Sequence, residues 1–123
     1  MSWMIRKTFR FEAAHQLHGL PEGHQCGREH GHSYRVTLEL TGNRLSGPGF
    51  VTDFGALKPF KDFVDDYLDH RDLNEVAPDE PTSEVLAAWL FTVAKDVLPS
   101  EVGQHLAAVK ISETESSCAE FRP

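Results

Sequence analysis

Seven histidines are present in this chain of 123 residues, and five of them lie between positions 15 and 32. Imidazole binds metal ions and exchanges protons near neutral pH, so this cluster is where we expect the chemistry of the protein. His30 and His32 flank a single glycine at the start of an alternating segment that predicts a β-strand. Because side chains alternate along a strand, both imidazoles are predicted to lie on the same face.

A third histidine, His15, lies at the end of the preceding predicted strand. An antiparallel hairpin across residues 16–29 would place the end of that strand beside the start of the next, so that His15 faces His30 and His32. Three neutral imidazoles with one open position are typical of a catalytic zinc site, and we predict these three residues as ligands of Zn²⁺. His18 and His24 are expected to be solvated, or to contact the ligand side chains without binding the metal.

Cys26 precedes His30 by four residues, and this spacing is compatible with three roles. The thiol can be a fourth metal ligand that closes a structural site, a catalytic thiolate favoured by a nearby cation, or an inert loop side chain. Spacing alone does not choose between these roles.

Two further polar clusters lie outside the group of histidines at residues 15–32. Asp69 directly precedes His70 after a predicted helix, and a carboxylate beside an imidazole can orient it as a general acid or base. The same pair is also typical of a polar helix end, where histidine suits the helix dipole. Glu113 lies in a polar turn, where it is either solvated or able to accept paired N–H donors from a planar ring.

The elements that must position these residues follow from hydrophobic periodicity. A period of two, interrupted by turn residues, predicts four strands, at residues 4–13, 32–40, 106–112 and 117–122. Apolar residues at intervals of three and four predict a helix over residues 57–68 that ends near 69–71. A second helix is predicted to begin at Thr82 or Ser83 and to end before Pro99. The order β-β-α-α-β-β predicts one α+β domain over residues 1–123.

Composition excludes several classes of function. The net charge of −7 opposes binding to nucleic acid, and no apolar run approaches the length of a membrane span. Arg6 and Lys7 interrupt the apolar residues near the start, so we expect no signal peptide there. Two cysteines do not make a disulfide framework, and free thiols suit the cytoplasm, where we expect the protein to be.

These residues together resemble the 6-pyruvoyl-tetrahydropterin synthase superfamily, and most closely its bacterial 6-carboxy-5,6,7,8-tetrahydropterin synthase branch, which serves queuosine biosynthesis. The motifs that carry the resemblance are FEAAH at 11–15, PEGHQCGREHGHS at 21–33, VTDF at 51–54, LDHRDLN at 68–74, PTSE at 81–84 and ET at 113–114. Three residues between Cys26 and His30 are typical of the carboxy-forming branch. Glu29 and the run after Glu113-Thr114 depart from its commonest pattern.

The resemblance implies a role for each candidate residue. His15, His30 and His32 would hold Zn²⁺, and Cys26 would transfer a proton instead of binding the metal. Asp69 and His70 would handle the second proton, and Glu113 would anchor the pterin ring through its N–H groups. Candidates for the positive charge that a triphosphate needs are Lys7, Arg10, Arg28, Arg35 and Arg71.

The implied activity is the conversion of 7,8-dihydroneopterin triphosphate to 6-carboxy-5,6,7,8-tetrahydropterin, acetaldehyde and triphosphate. The alternative within the superfamily is 6-pyruvoyl-tetrahydropterin synthase, which eliminates triphosphate without cleaving the side chain. A different class is a non-catalytic metal- or pterin-binding module in which Cys26 completes a closed zinc site. The resemblance also implies the tunnelling fold (T-fold), with a four-stranded antiparallel sheet, two helices on one face, and a homohexamer built from two trimers.

Overall fold

Two long strands form the centre of the sheet in the computed structural model, which describes residues 2–123. The first strand, β1, is Trp3–His15, and the second, β2, is His30–Gly42. They pair antiparallel along their whole length, with His15 directly opposite His30. The predicted hairpin across residues 16–29 is therefore confirmed, and it places the histidines of both strands at the same end of the sheet.

Three further strands complete a five-stranded sheet in the order β3-β1-β2-β4-β5. They are β3 (Arg71–Asp72), β4 (Leu106–Thr114) and β5 (Ser117–Phe121). The prediction of a four-stranded, wholly antiparallel sheet is wrong, because β3 pairs parallel to β1 with Ala14 opposite Asp72. A strand of two residues carries no hydrophobic period. It forms only because the chain passes along the edge of β1.

The first predicted helix is a continuous run of three helical geometries. It comprises a 3-10 turn (Phe54–Leu57), the helix α1 (Lys58–Phe63) and a π-helical turn (Val64–Leu68). A short helix, α2 (Leu73–Val76), follows β3. The second predicted helix is α3 (Ser83–Val97), followed by α4 (Ser100–Gly103). The Thr82 side chain caps α3 by accepting a hydrogen bond from the backbone N–H of Val85 at 3.1 Å, as predicted.

The core lies between one face of the sheet and the helices. Alternate residues of β1 and β2 on this face are buried, and the Phe11 and Tyr34 rings stack with centroids 4.9 Å apart. Burying side chains of this size stabilises the fold by roughly 1.5–3 kcal/mol each. His15 and His32 continue the same alternation, so the histidine cluster forms the end of the apolar core.

Charged side chains occupy the other face of the sheet. Glu39 there is only 1% exposed, and it accepts hydrogen bonds from the Arg6 and Arg122 guanidinium groups. Thr8 and Thr37 are linked through their hydroxyls at 2.8 Å on the same face. Within residues 2–123, none of the helices has the length and apolar character needed to cross a membrane.

Candidate active site

The three predicted ligands come together at the end of the core. One ring nitrogen from each of His15, His30 and His32 lies within 4.8 Å of the others. The Nε2 atoms of His15 and His30 are 2.9 Å apart. His15 is almost fully buried and the other two are partly buried. The side chains are therefore close enough to bind one metal ion together.

Backbone carbonyls set the orientation of two of these rings. His15 Nδ1 lies 2.7 Å from the carbonyl oxygen of Pro81, and His30 Nδ1 lies 2.6 Å from that of Arg28. A carbonyl oxygen only accepts hydrogen bonds, so each Nδ1 carries the proton and donates. In its neutral form each ring then presents an unprotonated Nε2, and the two lone pairs face each other. This arrangement suits a cation between them, and a set of imidazoles is compatible with zinc.

The third predicted ligand, His32, also lies near a carboxylate. His32 Nε2 is 3.7 Å from Glu113 Oε2. Burial lowers the pKa of His32 below its usual value; the nearby Glu113 opposes this effect, and the other two imidazoles reinforce it. The lowered pKa favours the neutral imidazole that a metal requires.

Tyr34 was not among the residues predicted from the sequence, but it completes the wall of the cluster. Its hydroxyl oxygen lies 3.2 Å from His15 Nδ1. Burial, reinforced by Glu113, raises the pKa of Tyr34 far above its usual value, so the phenol stays neutral. The carbonyls of Pro81 and Arg28 were also not predicted, because any residue has a carbonyl and only the fold directs it.

Cys26 lies in a 3-10 turn, Gln25–Gly27, near the histidines in sequence. Its carbonyl accepts from the N–H of Leu17 at 3.0 Å, and its own N–H donates to His24 Nδ1 at 3.1 Å. The thiol is partly buried and free of a disulfide. Among residues 2–123, the group of side chains close enough to share a metal contains the three histidines and not Cys26.

Asp69 and His70 form the predicted pair immediately after the π-helical turn. His70 Nδ1 lies 3.0 Å from Asp69 Oδ2, and Asp69 Oδ1 accepts a hydrogen bond from the Glu12 N–H at 2.8 Å. That bond to the backbone is the strongest influence on the pKa of Asp69 and lowers it; desolvation opposes this effect, and the contact with His70 adds to it. The aspartate stays ionised and can hold the imidazole in a fixed orientation.

Backbone strain marks His70 as a special position. It has a φ of 60°, the left-handed region that residues with a Cβ rarely adopt. Its N–H donates to the Glu12 carbonyl at 2.6 Å, which ties the strained residue to β1. The ring itself is 78% exposed and can meet a bound molecule. Such strain is often found at functional positions.

A cleft of about 560 Å³ connects the two groups at the edge of the sheet. His32, His70 and Arg71 are among the residues that line it. The cleft lining thus contains one histidine of the cluster together with His70, and Glu113 lies near the cluster through its contact with His32. Of the two other histidines in the loop, His18 pairs with Glu80 at 2.7 Å and His24 caps the turn of Cys26.

Comparison with known proteins gives one family. The family model described as 6-pyruvoyl tetrahydropterin synthase matches residues 4–123. A Synechocystis protein named 6-carboxy-5,6,7,8-tetrahydropterin synthase is 41% identical and covers 97% of this chain and 92% of its own. The Bacillus subtilis protein of that name is 30% identical, covering 99% and 86%. The solved structure of Caenorhabditis elegans 6-pyruvoyl tetrahydropterin synthase superposes with a TM-score of 0.86 at 27% identity, covering 100% and 96%.

Proposed function

The chain belongs to the 6-pyruvoyl tetrahydropterin synthase family, and on that premise we propose that it is a zinc-dependent lyase forming 6-carboxy-5,6,7,8-tetrahydropterin. The substrate is 7,8-dihydroneopterin triphosphate, and the other products are acetaldehyde and triphosphate. The observation that carries the proposal is the approach of the His15 and His30 Nε2 atoms to 2.9 Å, while a backbone carbonyl holds the Nδ1 of each ring. The family has the α+β architecture predicted from the sequence.

His15, His30 and His32 are the residues that would hold the zinc ion. When bound, the ion polarises the hydroxyls of the substrate side chain and stabilises negative charge that develops there. The contribution of the chain is to hold three neutral rings in place. Pro81 and Arg28 do this through their carbonyls, which keep the protons of two ligands on Nδ1.

Proton transfer is assigned to two groups of this chain. Cys26, as the thiolate, removes a proton bound to carbon, which is a role for a thiol outside the ligand group. His70 carries the second proton, and the ionised Asp69 stabilises its protonated form at a distance of 3.0 Å. The exposed ring of His70 and its place in the cleft with His32 support this assignment.

Glu113 anchors the pterin. Its carboxylate is partly buried and lies 3.7 Å from His32, so a ring held by Glu113 would lie beside the proposed metal ligands. Two carboxylate oxygens match the amino and ring N–H groups of a pterin in a charge-assisted, bidentate contact. Arg71 lines the cleft and is the basic residue best placed there for the triphosphate.

The choice of product is supported by the names of the sequence relatives and by the Cys26 to His30 spacing. Both curated relatives described above are named for the carboxy product, and the more similar is 41% identical. The alternative is the pyruvoyl product, for which the Caenorhabditis elegans protein is named. Both reactions use the same substrate, and they differ in whether a carbon–carbon bond of the side chain is cleaved.

We place the enzyme in the cytoplasm, on the route to queuosine, as a homohexamer of two trimers. The sheet ends in two unpaired edges, β3 and β5, which gives assembly a physical reason. In such an assembly, Glu113 or the Asp69–His70 pair of one subunit can serve a site on its neighbour.

Product identification tests the proposal directly. Zinc-loaded protein is incubated with 7,8-dihydroneopterin triphosphate, and the pterin is identified by mass spectrometry while acetaldehyde is measured separately. The carboxy product together with acetaldehyde is the expected result. A pyruvoyl product without acetaldehyde would assign the alternative reaction to the same site. Zinc binding without any turnover would support the binding module instead.

A further inference from the structure

Asn74, the second residue of α2, forms two hydrogen bonds with the backbone of Gln16, the residue that follows the end of β1. Its Oδ1 accepts a hydrogen bond from the N–H of Gln16 at 2.8 Å, and its Nδ2 donates to the carbonyl of Gln16 at 2.8 Å. The side-chain amide therefore acts as a peptide group would in a neighbouring strand. It extends the pairing of β1 with β3 past Ala14 and Asp72, where the main chain has already turned into a helix.

A hydrogen bond to the Asp72 side chain fixes the backbone position of Asn74. Asp72 caps α2, with its Oδ1 accepting from the Asn74 N–H at 3.0 Å. Asp72 itself lies in β3, directly after the segment that contains Asp69 and His70. The residues that hold Gln16 therefore follow directly, along the chain, the segment that contains Asp69 and His70.

Gln16 is in turn hydrogen-bonded to the 3-10 turn that contains Cys26. Its side-chain Nε2 donates to the carbonyl of Gly27 at 2.8 Å. The next residue, Leu17, donates its N–H to the carbonyl of Cys26 at 3.0 Å. Two consecutive residues of the strand end therefore hold two consecutive carbonyls of the turn. We call the set of bonds from Asn74 through Gln16 to the turn the clasp.

We propose that Asn74 and Gln16 are positioning residues, which hold the thiol of Cys26 at a set place relative to His15, the residue directly before Gln16. This inference rests on the proton-transfer role proposed for Cys26. A base must approach its proton to within hydrogen-bond reach, and a displacement of about 1 Å can cost roughly 100-fold in rate. The clasp ties the turn of Cys26 to the end of β1 and to α2 through four hydrogen bonds of 2.8–3.0 Å, so that Cys26 does not lie on a free loop.

The test uses Gln16→Met, which keeps the shape of the side chain but removes its donor to Gly27. Cys118 is exposed, so every protein also carries Cys118→Ser to leave Cys26 as the thiol that is measured. The matched control is Gln104→Met, because the Gln104 Nε2 also donates to a single carbonyl, that of Glu101 at 3.1 Å. That bond is exposed and lies outside the site.

Two measurements are made on zinc-loaded protein: steady-state turnover, and the rate at which iodoacetamide alkylates Cys26. We expect Gln16→Met to lower kcat by about 10- to 100-fold while KM changes by less than about threefold, since no substrate contact is removed. Alkylation is expected to become several-fold faster, because the turn opens more often. Gln104→Met is expected to match the parent protein in both measurements.

Asn74→Ala provides the second variant, with both bonds to Gln16 removed. If one clasp is at work, Asn74→Ala combined with Gln16→Met lowers kcat no further than Asn74→Ala alone. Fully additive losses would overturn the proposal, as would a Gln16→Met protein that matches Gln104→Met in both kcat and alkylation. Should the parent protein form no pterin product, the proposed function fails, and the alkylation rates alone decide whether the clasp holds Cys26.

Discussion

The Nε2 atoms of His15 and His30 face each other at 2.9 Å, while the Nδ1 of each ring is held by a backbone carbonyl. A direct hydrogen bond between the two Nε2 atoms would need one ring to carry protons on both nitrogens. In the neutral state their lone pairs repel, and a shared cation removes that repulsion. The pairing therefore favours metal binding over a purely structural contact between two histidines.

Removal of a ligand imidazole should abolish metal binding. We expect His30→Ala to reduce bound zinc from about one ion per chain to nearly none, because two nitrogens make a poor zinc site. Metal content is measured by atomic emission after dialysis against a weak chelator. The matched control is His18→Ala, which removes an exposed imidazole paired with Glu80. Equal zinc content in the two variants would contradict the assigned ligand set.

Cys26→Ala separates the enzyme from the binding module. The thiol lies outside the group of side chains that can share a metal, so we expect the variant to retain zinc. Turnover should fall by at least about 100-fold, as for the loss of a proton-transfer group. Metal content and product formation are measured on the same preparation, with Cys118→Ser as the control cysteine. Loss of zinc from Cys26→Ala would instead favour the closed four-ligand site.

His70 combines an assigned chemical role with a strained backbone, and two substitutions separate them. Both His70→Asn and His70→Ala remove the imidazole, so both should lose turnover to a similar extent. Asparagine tolerates a φ of 60° better than alanine, so His70→Ala should be less stable by roughly 1 kcal/mol. Urea unfolding and turnover are measured for both variants. Wild-type turnover by His70→Asn would exclude His70 as the proton carrier.

Glu113→Gln should weaken pterin binding more than it slows the reaction. A glutamine offers one acceptor oxygen where the carboxylate offers two, and its amide donors oppose the N–H groups of the ring. We expect KM to rise by about 10- to 100-fold, in line with the loss of a charge-assisted bidentate contact. The matched control is Glu115→Gln, whose side chain is 91% exposed two residues further on. Similar KM values for both variants would argue against Glu113 as the anchor.

The buried carboxylate of Glu39 makes the free energy of unfolding depend on pH. Burial alone would raise its pKa, but the guanidinium groups of Arg122 and Arg6 outweigh it and lower the pKa below the ordinary value of 4.5. The folded carboxylate therefore stabilises the protein at pH values above 4.5, and this stabilisation is lost as the pH falls through the lower folded value. We expect Glu39→Gln to lower the free energy of unfolding by about 1–3 kcal/mol at pH 7.

The difference between Glu39→Gln and the parent protein should shrink as the pH is lowered from 6 towards 3, because acid neutralises the parent carboxylate. Urea unfolding at a series of pH values measures this convergence. The control is Glu101→Gln, an exposed glutamate in α4, whose effect is expected to be small at every pH. A constant difference between Glu39→Gln and the parent across the series would mean that the buried charge contributes nothing.

Sequence alone determined the central strands, the two main helices and the three histidines that could share a metal. These are local properties: a period of two sets which side of a strand His30 and His32 occupy, and a hairpin brings His15 opposite. The spacing of Cys26 from His30 left three roles open, because a loop of residues 16–29 has no periodicity that aims a side chain.

Only the tertiary structure decided which backbone groups surround these residues. The carbonyl of Pro81 reaches His15 across 66 positions of sequence, and Asn74 reaches Gln16 across 58. Neither contact can be predicted from local sequence patterns. The two-residue strand β3 cannot be predicted from them either, because it forms only by pairing with β1. The candidate metal ligands therefore follow from residue type and strand period, whereas ring orientation, the strain at His70 and the placement of Cys26 depend on packing between distant segments.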